Sequence, residues 1–460
     1  TLDLTMRNDD LNSGAADGYY SPDHASARDS FDLGLPVRWK FSYSGSTRYK
    51  WRGKIESIRP VPGRYAERKT RITCTDWFDV AGKSKVTLQG VQFNVSADTG
   101  IAALISGMSN LPPASTLSAG QDSFPTIFDS SRDESTAIST ELNRLVMSEL
   151  GYLYMKGSSD SGGELIFEDR HTRAKFGAAA ASLGDACLLT FDIDRTTRNI
   201  FNKVKVEVNP REIDASASVL FTLQSTPLVA QSGSLIIEGR YTDPVQRGTL
   251  RIGGASMVDS ASDTDFKMWT ASDGSGTDLT GDFTVTTCYG GNTVRYEISN
   301  DGTQAGYITL LQARGRAIAV REPSISEKLN QDSIKTYEES TLKVNMPYQE
   351  DALVADDAAT ALLSAWKDPT SVGKKASFIA NLSDDLMTYF MLYEPGDKIT
   401  ITETMTLVDL DYFINGAEIA IDRDDMIKVT WILTPASLVK YWILGIVGAS
   451  EMGETTVLGY

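Results

Sequence analysis

Period-two alternation marks both ends of this chain. In "LPVRWKFSYSG", Val37, Trp39, Phe41 and Tyr43 alternate with polar neighbours, which predicts a strand with one buried face and one wet face. "KIESIRPVPG" and "KTRITCTDWFDVA" repeat the theme between Pro and Gly turns, so Thr1 to about Gly90 reads as strands. "NKVKVEVNP" sets Val204, Val206 and Val208 between charges. Toward the other end, "MTLVDLDYFINGAEIAID" predicts one long strand. "DMIKVTWILTP" predicts the next, with Ile427, Val429, Trp431 and Leu433 alternating.

Between these lie helical spacings. Ser96 is a candidate N-cap, followed by Ile101, Leu104, Ile105 and Met108 on one helical face. "SRDESTAISTELNRLVMSEL" places Ile138, Leu142, Leu145 and Val146 at helical spacing, with acids early, where the helix dipole favours them. "GYLYMKGSSDSGGELIFEDR" then reads as strand, turn, strand. "EDALVADDAATALLSAWKDP" carries a stripe of Val354, Ala358, Leu362 and Trp366, ended by Asp368–Pro369. From about Leu228 to Ala319 the composition shifts to Gly, Ser, Thr and Asp around short strands, which predicts an inserted β-sandwich.

The chain's most apolar stretch comes near its end, at Tyr441 to Ala449. It is about half the length of a membrane-spanning helix, and Gly445 and Gly448 interrupt it. It therefore predicts docking against protein, not membrane insertion. The opening "TLDLTMRNDD" starts in mid-strand without an initiator Met, so native residues are expected ahead of it.

Charge and chemistry narrow the function. With 61 acidic and 44 basic residues among 460, the formal charge is −17. This argues against a sequence-reading nucleic-acid binder, though not against DNA as passing cargo. Cys74, Cys187 and Cys288 have neither zinc-ligand nor disulfide-framework spacing. The two histidines, His24 and His171, stand in separate polar contexts without a serine elbow or a second metal ligand. Asp259, Asp263, Asp265, Asp273 and Asp278 form an acidic loop cluster that lacks EF-hand spacing and reads as solvated turns. Trp269, Tyr289 and Tyr296 are the candidates for a glycan-binding groove, against the plainer reading as core or turn aromatics. No catalytic, cofactor-binding or metal residue is assigned, and the chain is not expected to be an enzyme.

Four stretches, taken in order, resemble the tail-tip or baseplate hub proteins (minor tail proteins) of long-tailed bacteriophages. The first is the opening strand with "RNDDLNSGAADGYYSP", "LGLPVRWKFSY" and "WRGKIESIRPVPG". Next come "ELNRLVMSELGYLYMKGSSDSGGELIFEDR" and "RNIFNKVKVEVNPRE". The last is "EPGDKITITE" with the closing "LGIVGASEMGETTVLG". The resemblance implies a mainly β fold with α+β parts: two tail-tube-like β-barrel domains, a helix-containing connecting domain and the inserted β-sandwich. The first barrel would be 1–92, the connecting domain 93–186, and the second barrel 187–227 completed by 396–436. The sandwich would be 228–319, a helix-containing segment 320–395, and the apolar docking tail 437–460.

By the same resemblance, the chain is expected to be a structural virion protein at the phage tail tip, a homotrimer whose six barrels match a six-fold tube. Its implied partners are the tail tube or distal tail protein, the tape measure protein and other tail-tip proteins. DNA would pass an exit channel that the ring forms or closes. If the chain lines that channel, acids are expected on the inner strands of both barrels. The alternatives are a distal tail ring protein, a carbohydrate-binding adhesive virion protein and, outside the virion class, a glycosidase.

Overall fold

The computed structural model of the chain describes all residues except 64–67, 88, 132–134, 158–161, 176, 246–251, 423–424 and 439–460. The expected docking segment, Tyr441 to Ala449, therefore lies outside the described residues. The fold is mainly β, with a half-barrel sheet near each end of the chain and a few helices between them.

The first sheet runs Leu2–Arg7, Lys69–Thr75, Ser46–Val61, Pro36–Tyr43, every pair antiparallel. The expected alternation holds. Val37 and Trp39 join the core beneath the sheet, while Arg38 and Lys40 are exposed. The loop after the first strand folds Tyr20 and Phe31 over that core. Asn8 pins this loop, accepting from the Tyr20 amide and donating to Ser21, each at 2.7 Å. The alternation in sequence predicts that this strand continues through "DWFDVA". It ends at Thr75 instead, because Asp76 accepts from the Phe78 amide at 3.1 Å and starts helix Trp77–Lys83.

The second sheet has six strands in the order Ala181–Gly184, Lys398–Glu403, Val408–Ile421, Ile427–Pro435, Val372–Ile379, Thr190–Asp194. Its core face carries Val429, Trp431 and Leu433, with Trp431 edge-on to Phe378 at 4.8 Å. Helix Asp384–Leu392, capped by Ser383, covers this face through Leu386, Phe390 and Met391. Phe390 also meets Phe41 of the first sheet edge-on at 4.7 Å. Such a ring pair contributes about 0.5–1.5 kcal/mol beyond its buried area and ties the two sheets together.

Helices Ala97–Ser106 and Ile138–Glu149 pack into a separate core through Ile101, Leu104, Leu142 and Leu145, as their spacing predicts. Strands Tyr152–Lys156 and Glu164–Glu168 pair antiparallel as the expected hairpin. Lys203–Val208, which the resemblance placed in the second barrel, pairs antiparallel with Ser324–Leu329 and parallel with Thr341–Met346. Helix Ala352–Trp366 lies over this three-stranded sheet. That cover explains the valines: all three are fully buried against Ala355, Ala358 and Ala359. The helix turns its alanines inward, and Val354 and Leu362 of the expected stripe pack at the margin.

The β-rich module is a two-sheet sandwich. Its spine is the long strand Gly306–Val320. Arg211–Ile213, Ser218–Thr222, Leu228–Val229, Ile252–Ala255 and Phe266–Trp269 all pair with that strand. The second sheet is Ser234–Arg240, Thr293–Asn300, Phe283–Tyr289. Leu220, Val294, Tyr296, Ile308 and Leu311 fill the space between. By strand pairing the module begins at Arg211, ahead of the composition shift at Leu228.

Candidate functional site

Charges that look like ordinary surface residues in the sequence are buried where the segments meet. Asp129 and Arg211 are the clearest case, with side chains 0% and 2% exposed. Arg211 donates to both Asp129 oxygens at 3.0 and 3.1 Å and to the carbonyls of Asn209 and Pro347. Nearby, Tyr348 donates to Glu141, which also pairs with Arg144 at 2.5 Å. Burial first, then the Glu141 charge, hold the Tyr348 phenol well above its ordinary range. Together these contacts join the segment that carries helices Ala97–Ser106 and Ile138–Glu149 to the first strand of the sandwich, Arg211–Ile213, and to the strand sheet beneath helix Ala352–Trp366.

A second joint centres on Glu149. Its carboxyl is pushed up to about 7 by burial, which outweighs Arg170 at 3.6 Å. Arg170 pairs more closely with Asp122 at 2.9 Å. A third joint ties the hairpin to the second sheet. Arg173 donates to Glu168 at 2.8 Å and to Asn415 at 2.7 Å, and lies 3.6 Å above the Tyr152 ring. Between the first sheet, the hairpin and the second sheet lies a cleft of about 570 Å³. Lys50 and Glu394 pair there at 3.0 Å, almost fully buried. Burial holds the Lys50 ammonium below its ordinary range despite Glu394. Each joint combines charge with fixed hydrogen-bond directions, so it sets orientation as well as contact.

The solvent faces of the two half-barrels differ. On the second sheet, opposite charges face each other across strands: Lys375 with Glu418 at 2.9 Å and Lys398 with Asp411 at 3.4 Å. On the first sheet, register sets Arg7 opposite Lys69, Arg59 opposite Arg71 and Arg38 opposite Arg52. The strands expected to line an acidic conduit thus carry, in the first sheet, a basic outer face. A signal was present in the sequence: Pro36 to Thr75 holds 11 Lys and Arg against 2 Asp and Glu.

The chemistry candidates are scattered. His24 accepts from the Ser26 amide at 3.1 Å in an exposed turn, and His171 lies 3.1 Å from Gln121. Asp265 is held by Arg314 at 2.6 and 2.8 Å, while Asp273 and Asp278 accept from Ser275 and Thr280 of their own turns. Asp259 and Asp263 lie in the same region, and the described residues contain no group of three or more His, Cys, Asp or Glu placed to hold a metal. Tyr296 is fully buried, Tyr289 donates to the Val258 carbonyl at 2.6 Å, and Trp269 is half-buried in the spine sheet. These three aromatics are not arrayed as an exposed groove. The three cysteines are free thiols.

No protein-family model matches the chain. No curated protein matches it either. Among solved structures, it is similar to the 43 kDa tail protein of prophage MuSo2 from Shewanella oneidensis, at 9% identity and a TM-score of 0.48, covering 95% of this chain and 89% of that one. It is also similar to a tail protein from Neisseria meningitidis, at 12% identity and a TM-score of 0.44, over 88% and 84% of the two chains. A prophage tail protein from Listeria monocytogenes follows at 7% identity and a TM-score of 0.38, over 86% and 84%.

Proposed function

We propose that this chain is a structural protein of a phage tail, placed at the tail tip as a hub that joins the tail tube to the tip and helps form or close the DNA exit. The observation that carries this reading is architectural. One chain holds two open half-barrel sheets, tied by Phe41 on Phe390, by the buried Lys50–Glu394 pair between them and by the hairpin, where Arg173 donates to Asn415 of the second sheet. A subunit that presents two strand arrays at a fixed mutual angle is suited to ring building. Three copies would supply six arrays to a six-fold tube. The order of the four hub-like sequence stretches supports the same placement. On this reading the chain is not an enzyme, and its partners are further copies of itself, the tail tube or distal tail protein, the tape measure protein and other tail-tip proteins. The test is native mass spectrometry of the purified chain, which is expected to give a trimer. A stable monomer, or a ring of six identical copies, would sink the assignment.

A further inference from the structure

The first sheet's outer face is built against its own stability. Arg59 and Arg71 lie directly opposite in adjacent strands, both exposed, and neither has an ion pair among the described residues. Like charges placed so are destabilising, and the same chain avoids this on its second sheet. Arg38, which stacks on the Tyr49 ring at 5.3 Å, and Lys40 extend the positive field along the edge strand. On this face Asp3, bonded to Thr73 at 2.8 Å, is the counter-charge of the first strand. The acid-rich loop 8–32 folds over the opposite, apolar side, and its Asp9 and Asp17 pair with rim bases, Arg7 and Arg68. A face that opposes base to base is suited to an anionic surface brought from outside.

We infer that this face receives the acidic surface of a second copy of the chain, in a head-to-tail contact. The charge of the molecule is polarised. Residues 1–90 carry 15 Lys and Arg against 11 Asp and Glu, whereas residues 91–460 carry 29 against 50. Copies of charge −17 repel one another, and seating the basic face of one on the acidic remainder of the next offsets that repulsion. A two-fold contact of the face with itself would set arginine against arginine, so the complementary arrangement is heterologous. Heterologous contacts close into rings when the rotation allows. This deepens the ring proposed above, and rests on it, by naming one side of the contact that holds it.

The experiment compares the purified chain with Arg59→Glu/Arg71→Glu and with the control Lys335→Glu/Lys343→Glu, which changes the net charge equally elsewhere. Native mass spectrometry and sedimentation velocity follow association from about 50 to 500 mM salt, where screening deepens. The wild type and the control should associate alike and dissociate as salt rises. The Arg59/Arg71 variant should associate at least tenfold more weakly. A single Arg59→Glu places a glutamate opposite Arg71, so its melting temperature should not fall below wild type, which separates lost assembly from lost folding. A trimer indifferent to the Arg59/Arg71 reversal overturns the inference and leaves the ring standing. Binding of a short DNA duplex that the reversal abolishes, with association unchanged, also overturns it and assigns the face to nucleic acid. A wild type that stays monomeric at every salt overturns both.

Discussion

Replacing Asp129 with alanine should loosen the joint between the connecting domain and the sandwich stem more than any surface change could. Asp129 and Arg211 are both buried, and the guanidinium grips both carboxylate oxygens. Breaking a buried pair by removing one partner costs about 3–5 kcal/mol, chiefly because the other charge is left buried and uncompensated. Arg211 would keep its bonds to the Asn209 and Pro347 carbonyls, with Glu350 at 3.8 Å, which places the expected loss near the lower end. About 3 kcal/mol is roughly a hundredfold in the opening equilibrium. Asp129→Ala/Arg211→Met removes both charges, and apolar replacement of a whole buried pair is often close to neutral. The double variant should therefore recover roughly half of the loss, less than all because two carbonyls lose a donor. Urea denaturation would measure the totals, and hydrogen exchange over 203–213 and 341–350 would locate the opening. If Asp129→Ala costs less than about 1 kcal/mol, or the double variant is no more stable than the single, the pair does not hold this joint as argued.

Three further outcomes follow from the same joints. Glu149 stays protonated in the folded chain up to about pH 7 but ionises near 4.5 when unfolded, so the folded state loses stability as pH rises through that window and bears the full penalty above it. Glu149→Gln should therefore gain on wild type between pH 5 and 8, by on the order of 1–3 kcal/mol, and a pH-independent difference in denaturation midpoints would contradict this. A Cβ at Gly291 would stand 1.7 Å from the Phe128 carbonyl oxygen, so Gly291→Ala should cost about 1–3 kcal/mol or more and raise hydrogen exchange where the sandwich meets the connecting domain. Tyr348→Phe removes the buried donor to Glu141 and should lower stability by about 1–3 kcal/mol, while an unchanged melting temperature would show the bond to be idle.

Many of the strands and three of the six described α-helices, Ala97–Ser106, Ile138–Glu149 and Ala352–Trp366, were legible because one face of each is buried and the period shows. Val37 to Tyr43 and Ile427 to Leu433 alternate in the structure as they do in the text. Helix Ala97–Ser106 starts where Ser96 placed it, although Ser96 bonds to the Thr99 hydroxyl and not to a backbone amide. Helix Asp384–Leu392 went unread despite its Ser383 cap and two first-turn acids, a signal that could have found it. Strand partnership was not legible, since period two fixes a face but not a neighbour. Lys203–Val208 looks the same in sequence whether it joins the second half-barrel or the sheet under helix Ala352–Trp366. The buried charges were hidden for a similar reason. Asp129, Glu141 and Arg211 are drawn from 105 charged residues, and only the fold says which of them lose water. The basic face was half visible, because its composition was on the page but the register that opposes arginine to arginine was not.

Whether this chain forms an axial ring at the tail tip is visible in an image of the intact particle. At a resolution that separates sheets, three copies should surround the tail axis, each giving both half-barrels to one ring of six. Six identical copies around the axis, or a chain seated off the axis as a peripheral appendage, would contradict that placement.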